Sequence, residues 1–308
     1  MTRTIGSTLL AGAFSLLPMM SYAQQPGMGM GMGMGPVAPT VPPKGTRVFR
    51  DIDYVPDGHQ NQLLDLYLPA AGEDLPLIIY LHGGAWLTGS KNQLPAIGYV
   101  EKGYAVASVE YRFSQHAIFP AQLEDVKAAV RWLRANAGEY GIDPDRFAAW
   151  GQSAGSYLAI MLGVTDGVTK FEVGENLDVS SAVQVVIDNY GPTDFALMDA
   201  HRRPDGQEHD PADSPESQLV GGALQENLAA VARANPITYV SEGDAPFLVV
   251  HGDADPLVPR HQSEILVAAL ERADVPVEFY TVAGGGHGRF TDPKVGELIE
   301  MTLEKYLK

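Results

Sequence analysis

Apolar residues in this chain gather into short runs, and stretches of helical spacing lie between the runs. Leu75 to Leu81 and Tyr104 to Val109 are nearly continuous apolar runs. Such runs suit strands buried on both faces of a sheet. Phe147 to Trp150, Val183 to Ile187, Phe247 to Val250 and Val277 to Val282 read as four more strands. Arg47 to Val55 and Gln62 to Leu68 are a further pair, with Asp57-Gly58 between them as a hairpin signal. Ala121 to Ala137 sets Leu123, Val126, Val130 and Leu133 on one helical face. Ser156 to Leu162, His261 to Ala273 and Pro293 to Leu307 are also helical in pattern. Strands alternating with helices predict an α/β fold: a mainly parallel eight-stranded sheet with helices on both faces. The first two strands would form an antiparallel edge.

Two regions break this rhythm. Residues 192–235 separate the sixth and seventh strands and carry Pro204, Pro211 and Pro215, with eight acidic and three basic residues. A segment of that length is either a lid-like insertion or a solvated surface excursion. The N-terminus is the other. Arg3, an apolar run from Ile5 to Leu17 and the small residues of Ser21-Tyr22-Ala23 predict a signal peptide over residues 1–23. The expected location is then secreted or periplasmic; an uncleaved anchor is the alternative, although the run is short for a bilayer. Residues 24–43 hold Met28, Met30, Met32 and Met34 between glycines and then a proline-rich run. They read as a linker, because no histidine or carboxylate joins the thioethers in a copper(I) site. The catalytic domain is expected over 44–308.

Composition narrows the chemistry. The 308 residues are 45% hydrophobic, enough for one large core, and include no cysteine. Disulfides, thiolate metal sites and a cysteine nucleophile are excluded. The net charge of -17 argues against nucleic acid and anionic membrane surfaces as partners. No integral membrane association is expected. His59, His116, His201, His209 and His261 share no metal-ligand spacing, and no metal is expected.

The chemistry-bearing residues fall where strands end, which is where sites form in such sheets. Gly151-Gln152-Ser153-Ala154-Gly155 stands at a strand-to-helix turn, where small flanking residues allow a strained central serine with an exposed hydroxyl. His82-Gly83-Gly84-Ala85-Trp86 follows the Leu75–Leu81 strand, and its glycines let backbone N–H groups face a developing oxyanion. The N–H of Ala154 would be a further donor. His82 itself suits a role holding that loop better than a role as base, since a base must reach the serine hydroxyl. His251-Gly252-Asp253-Ala254-Asp255 follows another strand and offers two carboxylates. Asp255 is preferred as the acid, with Asp253 fixing its own turn. Gly284-Gly285-Gly286-His287-Gly288 follows the last strand. His287 would take the Ser153 proton and Asp255 would orient its ring, so activity should fall as the imidazole protonates, around its ordinary value of about 6.5. Trp86, Tyr190, Phe195 and Gln152 are candidates for lining a substrate pocket, with core packing as the other role open to the aromatics.

Serine, acid and histidine in that order, with these loops, resemble α/β-hydrolase carboxylesterases. The resemblance spans about residues 47–307 and is strongest to the branch with a His-Gly-Gly oxyanion loop. That branch includes feruloyl/acetylxylan-type and hormone-sensitive-lipase-like esterases. Asp65-Leu66-Tyr67-Leu68-Pro69, Glu110-Tyr111-Arg112-Phe113 and Tyr190-Gly191-Pro192-Thr193-Asp194 support it. It implies cofactor-free hydrolysis of a small-molecule or polysaccharide-linked ester through an acyl-enzyme. By motif, the nucleophile is Ser153, the acid Asp255, the base His287, and the oxyanion donors Gly83, Gly84 and Ala154. Ala85 replaces a third glycine, Gln152 replaces an aspartate, and an N-terminal helical cap is missing. These departures favour the feruloyl/acetylxylan side. The loop also resembles the HGGxW loop of kynurenine formamidases, and a catalytically dead binding protein on the same fold is the reading from another class.

Overall fold

The computed structural model of the chain describes residues 1–2 and 38–308. The chain divides after Pro36 into two units, and the second carries every strand and helix of the described residues. The expected signal peptide past residue 2 and the Met-Gly repeat lie outside the described residues. Residues 38–43, expected as linker, already hold to the domain: Thr40 donates its N–H to Asn92 O at 3.1 Å, and its hydroxyl accepts from Leu94 N at 3.2 Å.

Eight strands form one sheet. They are β1 (Arg47–Asp53), β2 (Leu63–Leu68), β3 (Leu75–Leu81), β4 (Ala105–Val109), β5 (Ile142–Gln152), β6 (Val185–Asn189), β7 (Phe247–Gly252) and β8 (Val277–Val282). The order is β1-β2-β4-β3-β5-β6-β7-β8. The β1/β2 and β2/β4 pairs are antiparallel, and every later pair is parallel. The eight α-helices of the described residues are α1 (Ala121–Ala135), α2 (Ala137–Tyr140), α3 (Ala154–Val164), α4 (Met198–His201), α5 (Pro215–Val220), α6 (Leu228–Ala234), α7 (His261–Arg272) and α8 (Pro293–Leu307).

Strand alternation divides the core. Leu77, Ile79 and Leu81 of β3 pack in one cluster with Leu123 and Val126 of α1, Leu158 of α3 and Leu266 of α7. Ile78 and Tyr80 pack in the other with Leu298, Ile299 and Leu303 of α8. Helices thus cover both faces, as an α/β-hydrolase fold requires. Helix α3 lies deepest. All eleven of its residues are buried, so it has no polar face to turn outward. Lys127 of α1 enters the core in company: it is buried with Nζ 2.7 Å from Glu172 Oε1 and 2.9 Å from Ser181 Oγ.

The segment 192–235 is a folded insertion rather than a solvated excursion. It supplies α4, α5 and α6 and buries Leu219, Val220, Leu224, Val231 and Ala234. Three bonds tie it down: Phe119 N to Leu219 O at 2.8 Å, Tyr157 Oη to Ala234 O at 2.7 Å and Thr193 Oγ1 to Gln262 O at 2.9 Å. Its polar composition hides this because its helices are short and each spends few residues on the core.

Candidate active site

Strand β5 runs into α3 through Ser153, whose φ of 54° and ψ of -123° are left-handed. A non-glycine residue held there costs about 1–3 kcal/mol, a strain that persists only when its surroundings impose it. They do so here. A Cβ at Gly151 would stand 2.3 Å from the backbone of Gly155, and one at Gly155 would stand 2.1 Å from Leu81 O. Only glycine permits the start of α3 to lie against the ends of β3 and β5. Ser153 N also donates to Asn189 O at 3.0 Å. The Ser153 side chain makes no capping bond to α3, which leaves its hydroxyl for another partner.

That partner is His287. Its Nε2 lies 2.9 Å from Ser153 Oγ, and its Nδ1 donates to Asp255 Oδ2 at 2.8 Å. The three side chains come from the ends of β5, β7 and β8. Their loops are stitched together: Ala254 N donates to Gly285 O at 2.9 Å and Gly284 N to Asp253 Oδ1 at 2.7 Å. Asp255 stands where the acid was expected and also takes the turn-making role expected of Asp253. Asp255 makes its own turn by accepting from Leu257 N at 2.8 Å and Val258 N at 2.9 Å. Asp253 instead ties down the histidine loop.

The electrostatics fit a charged acid. Burial alone would raise the Asp255 carboxyl, but hydrogen bonds from His251, His287 and Val258 and the charge of His287 hold it well below the usual range. Tyr190, left-handed at φ 52°, packs its ring 4.6 Å from that of His287. Burial and the nearby Asp255 and Asp188 push its hydroxyl far up, so it stays neutral.

The glycine loop lies against the serine. A Cβ at Gly83 would stand 3.0 Å from Gln152 O and 3.4 Å from Ser153 Cβ. His82 holds this loop. Its Nδ1 is 2.8 Å from Gly83 O, its Nε2 is 3.1 Å from Glu110 Oε1, and its carbonyl accepts from Tyr111 Oη at 2.8 Å. A trans peptide sends its C=O and N–H opposite ways, so fixing Gly83 O toward the imidazole turns the Gly84 N–H away from it. Gly84 O is occupied by Leu87 N and Thr88 N, each at 3.0 Å. At the start of α3 the Ala154 N–H is one of the donors a helix cannot satisfy internally.

Of the four residues expected to line a pocket, only Gln152 is half-buried; the three aromatics lie in the interior. Trp86 and Phe195 are 1% and 0% exposed and pack with Tyr157 of α3, their rings 5.2–5.7 Å apart. Trp86 has a left-handed backbone, φ 55°. These rings brace the glycine loop on α3, while Tyr190 backs His287. Two residues given no role from sequence, His251 and Ser263, stand behind Asp255; the His-Gly-Asp run was the only signal for the first. An open depression of about 610 Å³ follows Tyr280 to Asp292, and His287 forms part of its wall. Among the described residues no cluster of side chains is arranged to hold a metal, and no helix is long and apolar enough to cross a membrane.

Known proteins resemble most of this domain. The sequence pattern of the BD-FAE family matches residues 64–270. Esterase LipQ of Mycobacterium tuberculosis (strain ATCC 25618 / H37Rv) is 33% identical over 247 residues, 78% of this chain and 56% of LipQ. The chain spans a little over half the length of the curated relatives it matches first. Among solved structures, a truncated form of carbohydrate esterase from gut microbiota superposes with a TM-score of 0.77 at 32% identity. The match covers 87% of this chain and 99% of that one. A bifunctional GH43-CE protein of Bacteroides eggerthii also gives 0.77, at 36% identity over 85% of this chain and 38% of its own.

Proposed function

The chain belongs to the BD-FAE family, and from that premise we propose that it is a serine carboxylesterase for short-chain or aromatic acyl esters, such as acetyl or feruloyl esters. The observation that carries this is the unbroken line from Ser153 Oγ through His287 to Asp255, at 2.9 and 2.8 Å. A serine hydroxyl is a poor nucleophile until a base takes its proton during attack. His287 Nε2 is within reach to do so. Asp255, kept ionised, stabilises the resulting imidazolium and fixes its tautomer. The carbonyl oxygen of the ester turns into an oxyanion beside Gly83, Gly84 and Ala154, whose N–H groups receive it. His287 then protonates the departing alcohol, and water repeats the cycle on the acyl-enzyme.

The named carbohydrate esterase neighbour, and a second neighbour whose name couples GH43 to CE, support an ester carried on a polysaccharide as the alcohol part. Such a substrate lies outside the cell, in keeping with a signal peptide over 1–23 and a secreted or periplasmic enzyme. The test is a panel of p-nitrophenyl acyl esters, methyl ferulate, acetylated xylan and N-formylkynurenine. The wild type should cleave acetyl or feruloyl esters, and Ser153→Ala should lose at least about 10³-fold in kcat/KM. A wild type inactive on every ester, or a Ser153→Ala variant with full activity, rejects the proposal. Preference for N-formylkynurenine points to an amide hydrolase, and tight ligand binding without turnover to a binding protein.

A further inference from the structure

Asp255 Oδ2 has two histidines against it. His287 Nδ1 is 2.8 Å away. His251 Nε2 is 3.3 Å away and also lies 3.0 Å from Val258 O. His251 is fully buried, and on its far side Nδ1 is 2.7 Å from the hydroxyl of Ser263, a buried residue of α7. A neutral imidazole has one donor nitrogen and one acceptor. Nε2 faces a carbonyl and a carboxylate, neither of which can donate, so the proton of a neutral ring belongs there. Nδ1 is then the acceptor and Ser263 the donor. The line Ser153–His287–Asp255 therefore continues as His251–Ser263, with the same side-chain types in reverse order around one carboxylate.

We propose that His251 and Ser263 are positioning residues for the reaction, a second histidine–serine pair that holds the Asp255 carboxylate and limits the negative charge His287 feels. The proposal rests on the reading of Ser153, His287 and Asp255 as the catalytic line. A hydrogen bond to an ionised carboxylate makes it less basic. Two N–H groups beside one oxygen divide that effect. The His251 N–H bonds Val258 O and lies 3.3 Å from Asp255 Oδ2, so taking it away leaves Asp255 more basic and its hold on a protonated His287 stronger. A hydroxyl donating to Nδ1 also makes the Nε2 proton a better donor, so losing Ser263 acts in the same direction and less strongly.

Other titratable groups meet this pair from β6 and the residue that follows it. Asp188 acts on His251 through space, and the Tyr190 ring stands 6.4 Å from His251 and 4.6 Å from His287. The Tyr190 phenol is neutral throughout, and Asp188 is common to wild type and variants, so neither produces a difference between them. A histidine that only filled the core would alter stability and leave the His287 titration where it was.

The titration of the His287 ring nitrogens is followed by ¹⁵N NMR on the full chain, with the signals assigned by their loss in His287→Ala. The midpoint should rise by about 0.3–0.5 pH unit in Ser263→Ala and about 1 unit in His251→Leu. His251→Gln, whose amide N–H has similar reach, should stay near wild type. The acid limb of kcat/KM on p-nitrophenyl acetate should move in parallel. Midpoints that coincide with wild type in Ser263→Ala, that fall, or that rise as far in His251→Gln as in His251→Leu overturn the proposal. If His251→Leu does not fold, Ser263→Ala and His251→Gln decide. The NMR titration needs no turnover, so an inactive wild type rejects the esterase reading, while unmoved midpoints reject this one.

Discussion

Asp188, at the end of β6, has one oxygen well provided and the other without a partner. Oδ1 accepts from Ser156 Oγ at 2.5 Å and from Gly191 N at 2.8 Å, whereas buried Oδ2 has no hydrogen bond. Burial pushes the carboxyl from 3.8 up to about 6, and the bonds from Ser156 and Gly191 pull it back only in part. A raised carboxyl binds its proton more readily in the folded chain than in the unfolded one. Its contribution to stability is therefore full below the unfolded value and is lost as pH rises through about 6. Asp188→Asn keeps an acceptor for both donors and removes the buried charge. We expect it to gain about 1–3 kcal/mol at pH 8, with the gain vanishing near pH 4. Urea unfolding at the two pH values measures this; a loss at pH 8, or the same difference at both, contradicts it.

At the scale of elements, the join of β3, β5 and α3 holds Ser153. Gly155→Ala must push α3 away from Leu81 O and His82 O, which would stand 2.1 and 2.4 Å from the new carbon. The expected loss is about 2–4 kcal/mol, with kcat/KM falling as Ser153 and Gly83 separate. Gly296→Ala in α8 is the control, because nothing lies within 4 Å of its Cβ position, and it should be neutral or slightly stabilising. Equal melting temperatures for the two variants would refute the close-approach account. Elements of this kind were readable in sequence, because continuous apolar runs such as Leu75–Leu81 have few other places to go than between two layers of helices. That Ser153, Asp255 and His287 would meet was readable for a related reason: strand ends are where such folds expose residues. What stayed hidden depends on contacts made at long range. Lys127 looks like a solvent-facing position until Glu172 arrives 45 residues later. Trp86 and Phe195 look like pocket walls until Tyr157 draws them inward. The local pattern gave the turn to Asp253, but Asp255 makes it, because Asp253 is drawn to Gly284 of the histidine loop.

Over the whole molecule, the candidate site gathers residues far apart along the chain. Ser153 and His287 meet across 134 positions, and His287 and Asp255 across 32. The ends that carry them belong to β5, β7 and β8, joined through β6 by parallel pairings alone. Each parallel pairing closes a long loop before any contact repays it, which makes such sheets slow to assemble. The helices need no such closure. Turnover therefore serves as a clock for the last stage of folding. After dilution from denaturant, the far-ultraviolet signal of α1, α3 and α8 should return first, and ester hydrolysis should lag behind it by at least severalfold in half-time. Simultaneous recovery of the two signals would mean that the ends of β5, β7 and β8 come together as early as the helices form.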